Sequence, residues 1–240
     1  MPYYTSASIV NAADSQNGPL APNAIGSIYG QGLSYTTASL DVADLAAGVL
    51  PIGLGAVNVL VGGLPATLFY VSPTQINFLV PSILIPGRTT VQVVHDGLAG
   101  PSAKIDIADA SPALFQVDAQ TAIATRLDGS LVTSAAPGRP GDVLTLYATG
   151  LGHTVPPVSY RSIPNKAAPL ERLAEFQVLL DGAPLDRSLV LYAGVAPGYA
   201  GLYQINVKMP DAVGPNPAVQ ISLGALISPP GLLLPLTNAE

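Results

Sequence analysis

The chain contains the same series of motifs twice and in the same order, and this duplication limits its possible folds more than any other feature. Three pairs of equivalent positions mark the two copies: Tyr29 and Tyr147, Gly63 and Gly182, and Gln75 and Gln204. The first two pairs are 118 and 119 residues apart, whereas the third pair is 129 residues apart. A repeat of about 115 residues is too long for a solenoid unit and has the length of an independent domain.

The spacing of the repeat predicts two tandem domains, 1–113 and 114–240, which arose by internal duplication. The two copies stay in register up to Pro184, and Gln204 then follows about ten residues later than the first copy would place it. The second domain is therefore predicted to carry an insertion around 186–202.

Both copies consist of short apolar runs, rich in β-branched residues, between Gly and Pro turns. The clearest equivalent strands are Ile25–Tyr29 with 143–147 and Val57–Val61 with Phe176–Leu180. About seven such strands per copy, spaced by about 8–12 residues, are typical of a β-sandwich. The predicted fold is all-β, with two tandem immunoglobulin-like β-sandwich domains; a barrel and a single large sandwich are the alternatives.

Local turn and helix signals agree with this fold. Gly62-Gly63 and Asp181-Gly182 follow equivalent strands and predict tight hairpins, because Gly adopts positive φ without steric cost. Helical signal is confined to 40–50 and 168–175, each of which predicts a short helix or a turn.

The composition is unusually apolar for a chain of 240 residues. Hydrophobic residues make up 49% and charged residues only 10%, and the mean hydropathy is +0.44. Prolines and glycines interrupt the long uncharged stretch 45–87, so no membrane-spanning helix is predicted. The net charge of −6 without any Lys/Arg cluster argues against nucleic-acid binding. Large exposed apolar patches are typical of interaction surfaces.

The sequence contains no catalytic constellation, and neither an enzymatic activity nor a cofactor is predicted. There is no Cys and no Gly-x-Ser-x-Gly elbow, and no pair of facing carboxylates can be identified from sequence. His95 and His153 have no obvious catalytic partner, and we interpret both as structural. The acidic pairs Asp41/Asp44 and Asp106/Asp109 are too sparse for an EF-hand, which leaves a calcium site between the domains open.

The repeated polar and aromatic residues are interpreted as elements of the fold. Because both copies keep them at equivalent positions, the sequence favours hydrogen bonds to neighbouring loop backbone over a duplicated sugar site. These residues are Tyr29, Gln75 and Asn77 in the first copy and Tyr147, Gln204 and Asn206 in the second.

Two further groups of residues are candidates for contacts with other parts of the molecule or with partners. Tyr192, Tyr199 and Tyr203 lie in or beside the insertion and predict a plug between the domains, with a sugar-stacking platform as the alternative. The apolar terminal segments 3–10 and 231–236 are predicted to add as strands to a neighbouring copy. The terminal interaction residues are Tyr3, Tyr4, Leu232, Leu233 and Leu234.

The motif order resembles that of the Solibacter C-terminal domain family. The residues that carry this resemblance are 68–77 in the first half and 140–142, 146–152, 196–198 and 201–207 in the second. Each half is also similar to an immunoglobulin-like module of the IPT/TIG kind. The resemblance implies a domain of large secreted or surface proteins of acidobacteria, without an assigned activity; modules of the IPT/TIG kind usually serve as spacers, adhesins or binding platforms.

Together these features predict a non-enzymatic, extracellular or cell-surface structural protein that self-associates as a homo-oligomer or polymer, such as a surface filament. The alternative is a carbohydrate-binding or adhesion module of a larger secreted bacterial protein, with polysaccharide or other surface proteins as partners. The N-terminus has no basic region followed by an apolar stretch, so no signal peptide is predicted in this chain.

Overall fold

The computed structural model describes residues 1–237 and confirms the all-β fold class. Its only α-helix in this range is α1, Val42–Ala47, which lies within the predicted segment 40–50. The second predicted helical segment, 168–175, is a strand at Ala168–Pro169 followed by a single 3₁₀ turn at Leu173–Glu175. Two more 3₁₀ turns occur at Ser6–Ser8 and Arg187–Leu189. No helix in residues 1–237 has the length and apolar character needed to cross a membrane.

The strands up to residue 107 form two antiparallel sheets. They are β1 Ile9–Asn11, β2 Ile25–Tyr29, β3 Ala38–Ser39, β4 Gly53–Leu54, β5 Val57–Val61, β6 Leu64–Pro65, β7 Thr67–Val71, β8 Gln75–Leu79, β9 Gly87–His95, β10 Leu98–Ala99 and β11 Ala103–Ile107. One sheet has the order β1-β2-β8-β7-β3. The other has the order β10-β9-β5-β4, with β11 on β9 and β6 on β5.

The strands from residue 113 onward repeat this arrangement. They are β12 Ala113–Leu114, β13 Gln116–Asp118, β14 Thr121–Ala122, β15 Ala124–Arg126, β16 Val143–Thr149, β17 Ala168–Pro169, β18 Phe176–Leu180, β19 Ala183–Pro184, β20 Val190–Val195, β21 Tyr203–Lys208, β22 Val219–Leu223 and β23 Leu226–Ile227. The main sheets have the orders β12-β16-β21-β20-β17, with β15 on β16, and β19-β18-β22-β23; β13 and β14 form a separate pair.

Alternating side chains of the central strands form one apolar core in each half. In β5, Val57, Val59 and Val61 are fully buried, whereas Asn58 between them is exposed. Side chains of a strand point alternately to the two faces of the sheet, so one face of β5 packs inside the sandwich. In the second half, Leu144, Leu146 and Ala148 of β16 are fully buried in the same way.

The hairpin turns predicted at equivalent positions are confirmed. Gly62 and Gly63 both have positive φ, 59° and 77°, between β5 and β6. Asp181 and Gly182 have φ of 50° and 78° between β18 and β19. Two successive residues with positive φ are the requirement of a type I′ turn, which matches the twist of the strands it joins.

The terminal segments pair within their own chain. Strand β1 pairs with β2, with Ile9 opposite Ile28, and Tyr3 forms a bridge with Gln31. Near the other end, Leu233 forms bridges with Thr121 and Ala218. Strand exchange with a neighbouring copy stays a prediction, although backbone groups of both terminal segments already pair in cis.

The chain passes from the first pair of sheets to the second between β11 and β12. Ala113 in β12 lies opposite Thr149 in β16, so it pairs with the second half. The predicted boundary at residue 113 and the extent of the insertion around 186–202 stay predictions. Extra residues do occur between β19 and β21, where a 3₁₀ turn precedes β20 and a long loop follows it.

Candidate functional site

A segment of the first domain that contains α1 lies against two loops of the second domain. Asp41 caps α1, because its carboxylate accepts a hydrogen bond from the Asp44 backbone N–H at 2.8 Å. The Asp44 carboxylate accepts in return from the Asp41 N–H at 3.1 Å. This capping box satisfies two of the N–H groups that a helix start leaves unpaired. It fixes the short helix and places Leu45 at the surface near the second domain.

Apolar side chains from both domains form a small core of their own at this junction. Leu50 and Leu79 of the first domain are 2% and 1% exposed, and Ala200 of the second is 6% exposed. Partly buried apolar residues pack around these three: Ile25, Leu40, Phe69, Tyr160 and Ile163. Burial of such side chains stabilises the junction by about 25 cal/mol per Å² of apolar surface removed from water.

Backbone hydrogen bonds join the two domains beside this apolar cluster. The Leu50 N–H donates to the Arg161 carbonyl at 3.0 Å, and the Ile163 N–H donates to the Gly48 carbonyl at 3.0 Å. The Thr67 hydroxyl donates to the Tyr160 carbonyl, also at 3.0 Å. These bonds fix the register between residues 48–50 and 161–163, so the loops cannot slide past each other without breaking them.

Thr149 forms a second link between the domains. Its side chain is fully buried, and its hydroxyl oxygen accepts from the Ile25 N–H at 2.9 Å while the hydroxyl donates to the Gly201 carbonyl at 2.8 Å. Gly201 has a φ of 76°, and an added Cβ would lie 2.4 Å from Leu79 Cδ1. Only glycine permits the second-domain loop to approach the first domain this closely.

The junction leaves an apolar cleft open to solvent. Its volume is about 290 Å³. The first domain contributes Ile25, Leu40, Leu45, Leu50 and Phe69 to the walls, and the second contributes Ile163, Gly198, Tyr199, Ala200 and Leu202. Of the described residues around the cleft none is charged, and Tyr199 alone has a polar side chain. Apolar clefts at domain interfaces are a common position for binding sites.

The three tyrosines of the insertion have different surroundings. Tyr199 is 63% exposed at the rim of the cleft. Tyr203 is fully buried and its hydroxyl donates to the Gly152 carbonyl. Burial raises the pKa of Tyr203, and a hydrogen bond with the Asn23 side chain of the first domain offsets part of that rise. Tyr192 is half-buried and donates to the Val195 carbonyl at 2.9 Å. That these tyrosines plug the interface stays a prediction: Tyr199 lines the junction cleft, and the Tyr203 hydroxyl also meets the Asn23 side chain of the first domain.

Most of the predicted terminal interaction residues are buried. Tyr4 is 3% exposed; its hydroxyl donates to the Pro101 carbonyl and accepts from the Val93 N–H at 2.7 Å. Leu232 and Leu234 are 7% and 0% exposed in the second core. Only Tyr3, at 66%, and Leu233, at 39%, keep large exposed fractions. The interpretation of Tyr4, Leu232 and Leu234 as surface contacts is therefore corrected.

The repeated Gln-Ile-Asn motif forms a ladder of side-chain hydrogen bonds in each domain. The ladder lies on strands β2 and β8 in the first domain and on β16 and β21 in the second. In the first domain the Asn77 Oδ1 atom accepts from the Ser27 hydroxyl and from Gln75 Nε2, both at 2.9 Å. In the second domain the Asn206 Oδ1 atom accepts from the Thr145 hydroxyl at 3.1 Å and from Gln204 Nε2 at 2.8 Å. In each domain one bond joins side chains of neighbouring strands and the other joins two side chains of one strand, rather than loop backbone, which corrects that detail of the sequence interpretation.

The repeated tyrosines stand at the same place in both ladders. Tyr29 lies opposite Gln75, and Tyr147 lies opposite Gln204. Tyr29 is 40% exposed, and Tyr147 is half-buried with its hydroxyl 3.0 Å from the Thr125 hydroxyl. An aromatic side chain that packs against its cross-strand partner stabilises the pair of strands.

The two histidines have different surroundings. His95 is 3% exposed, with Nδ1 3.3 Å from the Gly32 carbonyl oxygen and with its ring against Tyr35. His153 lines a shallow pocket of about 300 Å³ with Asp109, Glu171 and Arg172. The acidic neighbours of His153 were not predictable from sequence spacing. Across residues 1–237, no three His, Asp or Glu side chains are grouped closely enough to hold a metal ion.

The acidic pairs considered for calcium have other roles. Asp41 and Asp44 cap α1, as described above. Asp106 forms an ion pair with Arg88 at 3.0 Å, and this hydrogen bond lowers the pKa of the Asp106 carboxyl. Asp109 lies in the His153 pocket rather than beside Asp106. Asp109 shares that pocket with Glu171 of the second domain, and a calcium site between the domains stays a prediction.

Comparison with known proteins identifies the type of the first domain. Residues 9–107 match the model of the IPT/TIG domain family. The first domain is thus an immunoglobulin-like module, as the resemblance implied, whereas the resemblance to the Solibacter family is not confirmed by this match. Comparison with curated proteins found no significant match.

Several solved structures are similar to the chain at low sequence identity. A glycan-bound surface protein of Bacteroides ovatus is 11% identical over 91% of this chain, with a TM-score of 0.36. A surface glycan-binding protein of Prevotella bryantii is 11% identical over 96%, with a TM-score of 0.28, and domains 5–6 of the S-layer protein SbsC are 9% identical over 100% of both chains, also with 0.28. The chain covers 43% and 42% of the first two proteins. At these TM-scores the similarities carry no functional argument.

Proposed function

We propose that the chain is a non-enzymatic module of an extracellular protein, in which two immunoglobulin-like domains form one rigid unit that serves as a structural spacer and interaction platform. The observation that carries this proposal is the junction itself, where Leu50, Leu79 and Ala200 are buried between the domains. The extracellular location rests on the resemblance of the repeated motifs to domains of secreted proteins.

The rigidity follows from how the domains are connected. Relative motion is the expected behaviour of tandem domains unless their interface is extensive and apolar. Here residues 108–112 are the only covalent connection between β11 and β12. The Asn11 side chain donates to the Ser111 carbonyl at 3.3 Å, which ties this connection to the first domain. Together with the bonds to Thr149 and Arg161, the junction resists both bending and twisting.

Backbone ¹⁵N NMR relaxation tests this proposal directly. Residues of both domains are expected to report one rotational correlation time, that of a 24.4 kDa body. Leu50→Arg places an unpaired charge in the junction and is expected to give each domain its own, shorter correlation time. Leu127→Arg is the matched control, because Leu127 is 77% exposed. Separate correlation times in the wild type would refute the rigid unit.

Self-association is the finer part of the proposal, and exposed apolar side chains of the first domain support it. Tyr35 is 73% exposed over His95, and Leu98, which pairs with His95 across the β9–β10 hairpin, is 52% exposed. Light scattering over a concentration series is expected to show a mass above that of the monomer, and Tyr35→Ser is expected to lower it. A constant monomer mass at high concentration would contradict self-association but would not bear on the rigid unit.

Carbohydrate binding is the second candidate function. The observation that favours it is the outer face of the first domain, where Tyr29 is 40% exposed beside the amides of Gln75 and Asn77. Retention on insoluble polysaccharides, compared between wild type and Tyr29→Ala, tests it. Retention that Tyr29→Ala does not change would exclude this face as the sugar site.

A further inference from the structure

The cleft at the domain junction is open to solvent, although its buried side is formed by residues that also hold the domains together. Leu50 and Ala200 line this buried side, and Leu45 and Tyr199, which are 52% and 63% exposed, stand at its mouth. Exposed apolar side chains that converge on a concave site lose unfavourable contact with water when an apolar group enters.

We infer that this cleft is a binding site for a small, uncharged, apolar molecule with one or two aromatic or aliphatic rings. The chemistry of the walls selects this class. No described lining residue is charged, and the Tyr199 hydroxyl is the single polar side-chain group. A charged ligand or a sugar would lose hydrogen bonds to water that these walls do not replace.

The size of the cleft limits the ligand further. An apolar cavity of about 150 Å³ accommodates a benzene molecule. The present cleft, at about 290 Å³, has room for roughly twice that volume. The site is continuous with the established interface between the domains, so a bound molecule would contact Phe69 of one domain and Ile163 of the other. Its binding would therefore depend on the closed junction.

A fluorescence titration with 1-aminonaphthalene, an uncharged two-ring probe whose emission shifts in apolar surroundings, tests the inference. The wild type is expected to bind one probe molecule per chain saturably, and naphthalene is expected to displace it. Ile163→Trp fills the cleft and is expected to weaken probe binding by roughly tenfold or more. Ile83→Trp is the matched control, because Ile83 is 64% exposed on a loop outside the cleft and the substitution is the same.

A second pair of variants tests the polarity of the site. Leu45→Arg brings a charge to the mouth of the cleft and is expected to weaken binding by roughly tenfold. Leu191→Arg, at a residue that is 55% exposed on β20, is expected to leave binding unchanged. Equal effects of the cleft variants and their controls would overturn the inference, as would an absence of saturable binding to the wild type.

Chemical shifts of the wild-type protein make the result independent of whether any variant folds. Naphthalene is expected to shift the backbone amide signals of Leu40, Phe69 and Ile163 in a single saturable step. Shifts confined to other surfaces would refute the site. The relaxation experiment on domain rigidity is unaffected by either result, so this inference and the proposed function can fail separately.

Discussion

The same hairpin is built differently in the two domains. In the first domain β7 and β8 are joined by residues 72–74, where the Ser72 hydroxyl accepts from the Gln75 N–H at 2.9 Å. In the second domain the equivalent strands β20 and β21 are joined by the longer segment 196–202. The short turn is held by this internal hydrogen bond. The longer loop instead extends to the other domain and contributes Ala200 and Gly201 to the junction.

This difference shows how a duplicated fold acquires a fixed arrangement of its copies. The strands on both sides of the two loops keep equivalent pairings, because Ser27 lies opposite Asn77 as Thr145 lies opposite Asn206. The loop between them is free to change, since loops tolerate insertions far better than paired strands do. The longer loop therefore adds Ala200 and Gly201 to a contact between the domains that residues 160–163 and Thr149 also form.

The substitution with the largest expected effect lies in the loop 196–202, where this loop comes closest to the first domain. Gly201→Ala is expected to cost about 3 kcal/mol of unfolding free energy, because the new Cβ would meet Leu79 Cδ1 at 2.4 Å and Ile25 Cγ1 at 2.8 Å on a backbone with positive φ. Gly198→Ala in the same loop also has positive φ but no atom within 4 Å of the new Cβ, so it is expected to cost only about 1 kcal/mol. Urea unfolding measures both, and equal costs would contradict a tight contact at Gly201.

The second effect concerns the hydroxyl that links the domains. Thr149→Val removes a fully buried hydroxyl and leaves the Ile25 N–H and the Gly201 carbonyl without it, at an expected cost of about 2 kcal/mol. Thr145→Val removes the hydroxyl bonded to Asn206 within the second domain, with an expected cost of about 1 kcal/mol. Differential scanning calorimetry should show the domains melting separately in Thr149→Val only. Separate melting in both variants would contradict a specific linking role.

The third prediction concerns the hydrogen-bond ladder around Asn77 and Asn206, which both domains contain. Asn77→Ala and Asn206→Ala each remove an amide oxygen that accepts two side-chain hydrogen bonds. Each is expected to cost about 1 kcal/mol in urea unfolding, and the two costs are expected to be alike. A cost in one domain and none in the other would show that the ladder stabilises only one copy.

The smallest expected effect concerns one surface ion pair in each domain. The guanidinium of Arg88 holds the pKa of the Asp106 carboxyl below its usual range, and Arg172 does the same for Glu175. A carboxyl whose pKa is lowered on folding stabilises the folded state above its unfolded pKa of about 4, and this contribution is lost as the pH falls through the folded value. The side chains of both ion pairs are exposed to solvent, so screening by solvent keeps the effect of each pair on stability small.

An NMR titration of the carboxyl carbons checks these directions. Arg88→Gln is expected to raise the pKa of Asp106 toward its usual value and to leave that of Glu175 in the second domain unchanged. An unchanged pKa of Asp106 in Arg88→Gln would show that the ion pair is not formed in solution.

Much of each sandwich could be predicted from local patterns. Alternation along Val57–Val61 and the glycines at 62–63 specified a strand and a type I′ turn, because both depend on residues close in sequence. The repeat also marked Asn77 and Asn206 as equivalent, although their bonding partners were assigned to loop backbone rather than to Ser27 and Thr145. Those partners are about 50 to 60 residues away in the chain, where spacing has no predictive value.

The residues at the junction were largely missed. The longer spacing before Gln204 did point to the loop that reaches the first domain, and Tyr199 and Tyr203 do lie near the junction, but the small residue Ala200 that packs there was missed. Thr149 differs from its counterpart in the first copy, Gln31, and this break in the repeat was the available signal for the link between domains. Apolar terminal segments were likewise interpreted as free strands, whereas the structure buries Leu232 and Leu234 in the second core.

The sequence by itself determined that the protein has two copies of an all-β sandwich, since hydrophobic alternation, turn glycines and the repeat are all short-range or self-similar patterns. Only the tertiary structure decided how the copies meet, which tyrosine is exposed and where an open apolar cleft remains. Those outcomes depend on contacts such as Thr67 with Tyr160, which are 93 residues apart. Such contacts form only after both sandwiches present complementary surfaces, and no local pattern encodes that complementarity.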